Sequence, residues 1–432
     1  MIRELLADLV AWKTGTRRKP LVLRGARQVG KTHLLQEFGR TQFKSCAYIN
    51  FEKQPDAQEI FKRNLDPLEL VRKLSVLAEQ PILPEQTLII LDEIQAAPHA
   101  LLSLKYFCED APEFAVAAAG SLLGVMMSGA SSFPVGKVTF KTLYPMRFSE
   151  FLRASGKEGL LEHLLDHSPE KPLDEVFHQQ LLELLRVYWL VGGMPEVVQA
   201  YIQHGDLPEC RALQEDILQA YLLDFSKYAD PSTTLKIQQV WASLVGQLAR
   251  ENRKFTYSQL GVNARGRDYE AAVQWLSDAG LVLKAHAVER AMVPLASYRK
   301  DASFKLYCLD VGLLGAMARV NFKAVLSQGG LWGEFHGALT ENLIAQELTS
   351  LGWAPLHYWS IPSRAEVDFV IEQSGQVVPV EVKGSDNVRG KSLGLFRAKF
   401  RSKKAVRFSP LNFHATPDFM NLPLYAASVL RS

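Results

Sequence analysis

The sequence is poor in cysteine, with four in 432 residues: Cys46, Cys108, Cys210 and Cys308. They lie far apart, form no CxxC pair and have no histidine cluster beside them. This excludes a disulfide scaffold or a zinc module and leaves reduced, buried thiols as the ordinary reading. Long apolar runs are also missing. The longest nearly apolar stretch, Phe114–Met127, is interrupted by Gly120 and Ser121 and falls short of the roughly 20 residues a membrane helix needs. Met1–Val10 is amphipathic and is followed by Arg17-Arg18-Lys19, unlike the apolar core of a signal peptide. A cytoplasmic protein with no membrane partner is therefore expected. No repeat or low-complexity tract occurs. Nor is there an excess of one charge: 49 basic against 46 acidic residues give a net +3. That balance does not itself call for a nucleic acid, so any basic surface must be local.

What is present is the composition of a packed chain, 47% hydrophobic and 22% charged, which excludes disorder. At about 150 residues per domain, the length suggests two or three domains. Short apolar segments at Leu21–Leu23, Ala47–Phe51, Thr87–Leu91 and Phe114–Ala118 alternate with helical stretches at Lys31–Phe38 and Leu68–Glu79. Apolar strands alternating with helices predict an α/β fold with a parallel sheet covered on both faces. The expected organisation is a parallel-sheet α/β domain over 1–150 and a helical region over 151–250. A winged-helix-like segment follows over 251–310, read as a helix at Thr256–Leu260, a turn at Gly261–Gly266 and a second helix at Tyr269–Asp278, capped by Asp268 and ended by Gly280. An extended arm from Leu281 completes it, and then comes a C-terminal α/β domain over 311–432.

Gly25-Ala26-Arg27-Gln28-Val29-Gly30-Lys31-Thr32 fits G-x-x-x-x-G-K-[ST] in full, directly after an apolar strand and before a helix. The glycines let backbone N–H groups turn toward phosphate oxygens, and the helix start adds its positive dipole end. Lys31 can reach the β- and γ-phosphates of ATP, and the Thr32 hydroxyl can ligate Mg²⁺. Downstream, Leu88-Ile89-Ile90-Leu91 ends in Asp92 and Glu93. Asp92 suits the magnesium shell and Glu93 a general base that polarises water. The two motifs together predict a nucleotide-hydrolysing site and make 1–150 a P-loop ATPase domain.

GARQVGKT and LIILDEIQ, with Ala119-Gly120-Ser121, Pro145–Phe151 and Tyr188–Pro195, resemble the prokaryotic AAA-type P-loop ATPases that carry a C-terminal DUF4143 domain. The resemblance runs over essentially the whole chain. It implies that Ser121 senses the γ-phosphate and that a neighbouring subunit completes the site with an arginine, hence a homo-oligomer. Where the family usually has Gly-Arg, this chain has Gly136-Lys137, and lysine lacks the planar fork of arginine. Arg147 is an alternative finger. Gly192-Gly193-Met194-Pro195 reads as a hinge between the ATPase and the C-terminal region.

Near the C-terminus, Ala365–Ile371 and Val377–Val382 read as a β-hairpin turning at Gly375. Glu381 and Lys383 are two apart and share a face, and Asp368 can lie alongside. Two carboxylates and a lysine on an apolar sheet suit metal-assisted phosphodiester cleavage. The pattern resembles the PD-(D/E)xK nucleases, a restriction-endonuclease-like fold, with Glu341 matching the acid that often precedes that core. Three readings stay open: an active metal-dependent nuclease with Asp368 and Glu381 as ligands, a nuclease-like fold retained for binding, and an ordinary cross-strand ion pair.

Between Val388 and Arg407 stand Arg389, Lys391, Arg397, Lys399, Arg401, Lys403, Lys404 and Arg407, with no acid among them. Such a run can contact DNA phosphates. Arg265 and Arg267 lie at the start of the second helix of the winged-helix pattern, the end that meets DNA in such modules. The leading expectation is an ATP-driven machine acting on DNA. The alternatives are a nucleotide-dependent switch that contacts proteins and a metal-dependent nuclease regulated by ATP.

Overall fold

A computed structural model describes residues 1–121, 123–125, 134, 136–327, 335–385 and 390–430. The chain divides into two compact units, residues 1–144 with 278–280 and residues 145–277 with 281–432.

The first unit is built on five parallel strands: β1 (Leu21–Arg24), β2 (Ser45–Asn50), β3 (Thr87–Asp92), β4 (Ala115–Ala119) and β5 (Thr139–Thr142). Their spatial order is β2-β3-β4-β1-β5. The apolar runs predicted this, because a strand buried on both faces shows no polar alternation. Val22, Ile89, Leu91, Val116 and Ala118 form one core with Phe61, Leu70, Leu74, Leu104 and Phe107 from the helices Ala57–Arg63, Pro67–Leu77 and Pro98–Asp110. The alternate residues Leu23, Leu88 and Ile90 are also fully buried. Neighbouring β1, β3 and β4 thus point their C-terminal ends to one edge, the place where open α/β sheets bind ligands.

The second unit begins with helices, as the periodicity after residue 150 predicted: Phe148–Ala154, Glu158–Leu165, Glu175–Val191, Pro195–His204, Leu207–Tyr228 and Pro231–Leu248. It then forms an eight-stranded mixed sheet from β6 (Val282–Val288), β7 (Arg299–Cys308), β8 (Leu356–Ile361), β9 (Ala365–Gln373), β10 (Gln376–Val382), β11 (Ala405–Ser409), β12 (His414–Thr416) and β13 (Phe419–Pro423). The order is β12-β13-β11-β10-β9-β8-β6-β7. The predicted hairpin is β9–β10, antiparallel, with Ser374 and Gly375 both at positive φ in its turn, as a tight two-residue connection demands.

Two expectations are corrected here. The helix anticipated at Thr256–Leu260 is a single 3₁₀ turn, Tyr257–Gln259; Gly261 and Asn263, at φ 158° and 70°, stop it from growing. The following helix starts at Gly266, so Asp268 lies within its first turn rather than capping it. The extended arm after Gly280 is also more than a local wing. It is β6, which pairs with β7 on one side and in parallel with β8 on the other, so one sheet runs across residues 251–310 and 311–432.

The second correction concerns Gly192-Gly193-Met194-Pro195, which is a packed knot inside the second unit rather than a hinge. A Cβ on Gly192 would lie 2.2 Å from Asp310 Oδ1, and one on Gly193 2.0 Å from the Met146 carbonyl oxygen. The Gly193 N–H donates to Asp310 Oδ2 at 2.6 Å, and the Met146 N–H donates to the Gly193 carbonyl at 2.6 Å. Glycine is needed for close approach, and the bonds across it remove the freedom a hinge requires.

Candidate functional site

The loop between β1 and the helix Lys31–Gln42 has the backbone its glycines allow. Gly25 and Gly30 take φ of 147° and 91°, and Gln28 is also left-handed at 65°. A Cβ on Gly25 would stand 2.2 Å from the Leu143 carbonyl oxygen, so this position admits no side chain. Arg3, buried near the N-terminus, donates to the Val29 carbonyl at 2.8 Å and to the Tyr144 carbonyl at 2.6 Å. It staples the loop from behind, and its distance in sequence hid it from motif reading.

Lys31 is buried and donates to the carbonyls of Gly25 (3.0 Å) and Ala26 (2.8 Å). Burial lowers its pKa to about 8, against the opposing pull of Glu93 and Asp92. The ammonium therefore lies folded over the loop, hydrogen-bonded to neutral carbonyls, in a place where anionic oxygens would stabilise its charge.

Thr32 Oγ1 donates to Asp92 Oδ2 at 2.9 Å, which joins the loop helix to the tip of β3. The same oxygen accepts from Tyr48 Oη at 2.7 Å and Asn50 Nδ2 at 3.4 Å, both on β2. Asp92 Oδ1 accepts from the Glu93 N–H at 3.1 Å. Burial raises the Tyr48 phenol to about 12, so it remains a donor. Sequence reading missed Tyr48 and Asn50; the available signal was two polar side chains at the C-terminal end of an otherwise apolar strand next to β3.

Glu93 sits just past the strand with a left-handed φ of 51°. Burial raises its pKa, while a hydrogen bond from Gln95 Nε2 at 2.5 Å works in the opposite direction. Gln95 Oε1 is buried with no hydrogen-bond partner among the described residues, and a Cβ on Gly120 would stand 2.4 Å from it. Ser121, at the end of β4, is buried. Gly25–Thr32, Asp92, Glu93 and Ser121 thus all belong to the first unit and the ends of its central strands. The donor set fits ATP with Mg²⁺: backbone N–H groups and one lysine for phosphates, and a threonine hydroxyl with a carboxylate for a hard cation. Lys137 pairs with Glu109 at 2.7 Å. Arg147 caps the helix Phe148–Ala154, where its N–H donates to Glu150 at 2.9 Å.

In the second unit, Asp368 lies on β9 and Glu381 on β10, and both are buried. Their carboxylates have different partners. Asp368 Oδ2 accepts the Val382 N–H at 2.7 Å, and burial, reinforced by Glu341, pushes its pKa to about 8. Glu381 binds Lys383 through Oε1 at 3.2 Å and Arg407 through Oε2 at 3.0 Å. Glu341, fully buried on the helix Phe335–Leu348, accepts from Lys305 at 2.8 Å and Tyr307 at 2.6 Å through one oxygen and from Arg253 through the other. Lys305, with no exposure, also donates to Glu366 at 2.6 Å. Among the described residues, no group of three His, Cys, Asp or Glu side chains is gathered to hold a metal ion. Lys305, Tyr307 and Arg253 escaped sequence reading, since nothing in β7 or the segment before it marks them as partners of Glu341.

Of the basic run, Arg389 lies outside the described residues. Arg397 pairs with Asp418 at 2.5 Å, and Lys399 lies over the rings of Trp359 and Phe400. Phe396 is core, stacked edge-on against Trp359. Lys391, Arg401, Lys403 and Lys404 are exposed. Arg265 and Arg267 are exposed as well, Arg267 beside Asp268.

Comparison with known proteins agrees on the first unit. Residues 17–152 match the AAA domain family, residues 336–418 the domain of unknown function DUF4143, and residues 182–324 the domain of unknown function DUF8612. No curated protein matches the chain. Among solved structures, a Walker-type ATPase of Pyrococcus abyssi is similar at 14% identity and TM-score 0.44, over 73% of this chain and 95% of that one. The Orc1 protein of Aeropyrum pernix in complex with DNA shares 14% identity at TM-score 0.28, over 75% and 93% of the two chains. AMPPCP-bound DnaA from Aquifex aeolicus shares 13% at 0.28, over 64% and 86%. The N-terminal unit has a P-loop on a parallel sheet and is similar to the AAA domain family over residues 17–152. No helix among the described residues is long and apolar enough to cross a membrane.

Proposed function

We propose that this protein binds and hydrolyses ATP and couples the cycle to DNA. The observation that carries the ATPase reading is the Thr32–Asp92 hydrogen bond, which ties the phosphate loop to the acidic strand tip, with Lys31 buried beside it. In this reading the backbone of Gly25–Lys31 and the Lys31 ammonium hold the phosphates. Thr32 and Asp92 hold Mg²⁺, which supplies charge neutralisation at the phosphates. Glu93 polarises the attacking water, and Ser121 stands near the terminal phosphate. An arginine from a neighbouring copy completes the site, so the working form is a homo-oligomer. The nuclease-like C-terminal module contacts DNA through Lys391, Arg401, Lys403 and Lys404.

The test is ATP hydrolysis by the wild type and Lys31→Ala, alone and with single-stranded, duplex and branched DNA. A rate stimulated several-fold by one DNA form and abolished in Lys31→Ala is expected. A rate indifferent to every DNA would sink the DNA coupling.

A second reading, a nucleotide-dependent switch that contacts proteins, is favoured by one observation: Arg397 and Arg407 of the basic run are already paired with Asp418 and Glu381. The third, an ATP-regulated nuclease using Asp368, Glu381 and Lys383, requires cleavage that depends on a divalent ion and is lost in Asp368→Ala or Glu381→Ala.

A further inference from the structure

We infer that the C-terminal acid constellation is neutralised from within, by Lys305 and Arg253 on Glu341 and by Lys383 and Arg407 on Glu381, so that it neither binds a catalytic divalent ion nor cleaves DNA. This rests on reading the module as nuclease-like, and it decides among the roles left open for that fold.

A hard divalent ion needs several oxygen ligands with free lone pairs and negative charge. Here those ligands are spent. One oxygen of Glu341 accepts from both Lys305 and Tyr307, and the other accepts from Arg253. Each oxygen of Glu381 faces its own cation. Glu366 shares the Lys305 ammonium. Among the described residues, Asp368 alone of these acids makes no ion pair, and one of its oxygens takes the Val382 N–H.

The cations cannot easily be displaced. Lys305 has no exposure, so its ammonium has no route to water and would be left as an uncompensated buried charge if Glu341 and Glu366 turned to a metal. The backbone is shaped around the two arginines. A Cβ at Gly337 would lie 2.7 Å from the Arg253 guanidinium, and one at Gly390 2.3 Å from that of Arg407 and 3.1 Å from Glu381 Oε2. A dication entering beside these groups would meet fixed positive charge at short range in a medium of low dielectric.

The experiment uses the full chain without nucleotide and Mn²⁺ as the probe. Isothermal titrations of wild type and Asp368→Ala are expected to coincide within about twofold, and neither Mg²⁺ nor Mn²⁺ is expected to elicit cleavage of single-stranded, duplex or branched DNA. A micromolar Mn²⁺ site in wild type that disappears in Asp368→Ala overturns the inference. A second measurement does not depend on metal. In metal-free buffer, Glu341→Gln and Lys305→Met are each expected to lower the melting temperature, and the double variant to recover a large part of the loss. A Glu341→Gln protein that melts like wild type overturns the inference. DNA binding is measured on the same wild-type sample by fluorescence anisotropy. Its absence would overturn the DNA-coupled reading above while leaving the internal neutralisation standing.

Discussion

Gln95 donates its side-chain amide to Glu93 across 2.5 Å, while its own carbonyl oxygen is buried with no partner among the described residues. A buried polar atom left unpaired is costly, and glutamine keeps it here while holding Glu93, the base of the proposed mechanism. Removing that bond takes away an interaction that lowers the Glu93 pKa and leaves burial, which raises it. Gln95→Ala should therefore move the acid limb of the ATPase pH–rate profile to higher pH and reduce kcat by roughly tenfold or more. A superimposable profile at equal kcat would remove Gln95 from this role.

Tyr48→Phe deletes one of three donors on Asp92 Oδ2 and leaves those from Thr32 and Asn50. The loss of one hydrogen bond at a partly exposed site is about 1 kcal/mol. It should appear as a roughly fivefold rise in the Mg²⁺ concentration giving half-maximal ATPase, since about 1.4 kcal/mol corresponds to tenfold. Magnesium activation curves for the two proteins decide it, and coincident curves would show that Thr32 and Asn50 suffice.

Two glycines make a contrasting pair. At Gly193 a methyl group would collide with the Met146 carbonyl at 2.0 Å, whereas at Gly246, inside the helix Pro231–Leu248, nothing lies within 4 Å. Gly193→Ala should destabilise the second unit by about 2 kcal/mol or more, as overpacking does. Gly246→Ala should stabilise it by up to about 1 kcal/mol through helix propensity. Urea denaturation followed by circular dichroism reads both signs, and equal midpoints would refute the packing argument.

Glu347 is fully buried, accepts the Phe148 N–H at 2.8 Å and has Arg147, Glu150 and Tyr188 around it. Burial raises its pKa from 4.5 to about 7, outweighing the Phe148 bond and Arg147. Between those values the folded chain holds a proton that the unfolded chain has released, so this group's contribution to stability falls as pH rises from about 4.5 and levels off above about 7. At 1.36 kcal/mol per pKa unit, the decline is about 3 kcal/mol. Glu347→Gln should flatten it. Stability measured from pH 4.5 to 7.5 with the same slope in both proteins would exclude Glu347 as its source.

The phosphate loop was legible in the sequence because everything it needs is contiguous: an apolar strand, glycines at φ values other residues avoid, and a helix that begins at Lys31. The β9–β10 hairpin was legible for the same reason, with its turn residues between two apolar runs. Strand alternation likewise determined a parallel sheet, since burial on both faces leaves its mark in every strand. The structure decided what faces what. Tyr48 and Asn50 meet Asp92 because β2 lies beside β3. Gly192 and Gly193 are fixed because Asp310 and Met146 arrive from elsewhere in the unit. Glu341 resembled the acid that often precedes a nuclease core, and the structure shows it as the partner of Lys305 and Arg253, 36 and 88 residues away. A carboxylate's charge is visible in the sequence, but which cation compensates it depends on contacts that only the packed chain makes.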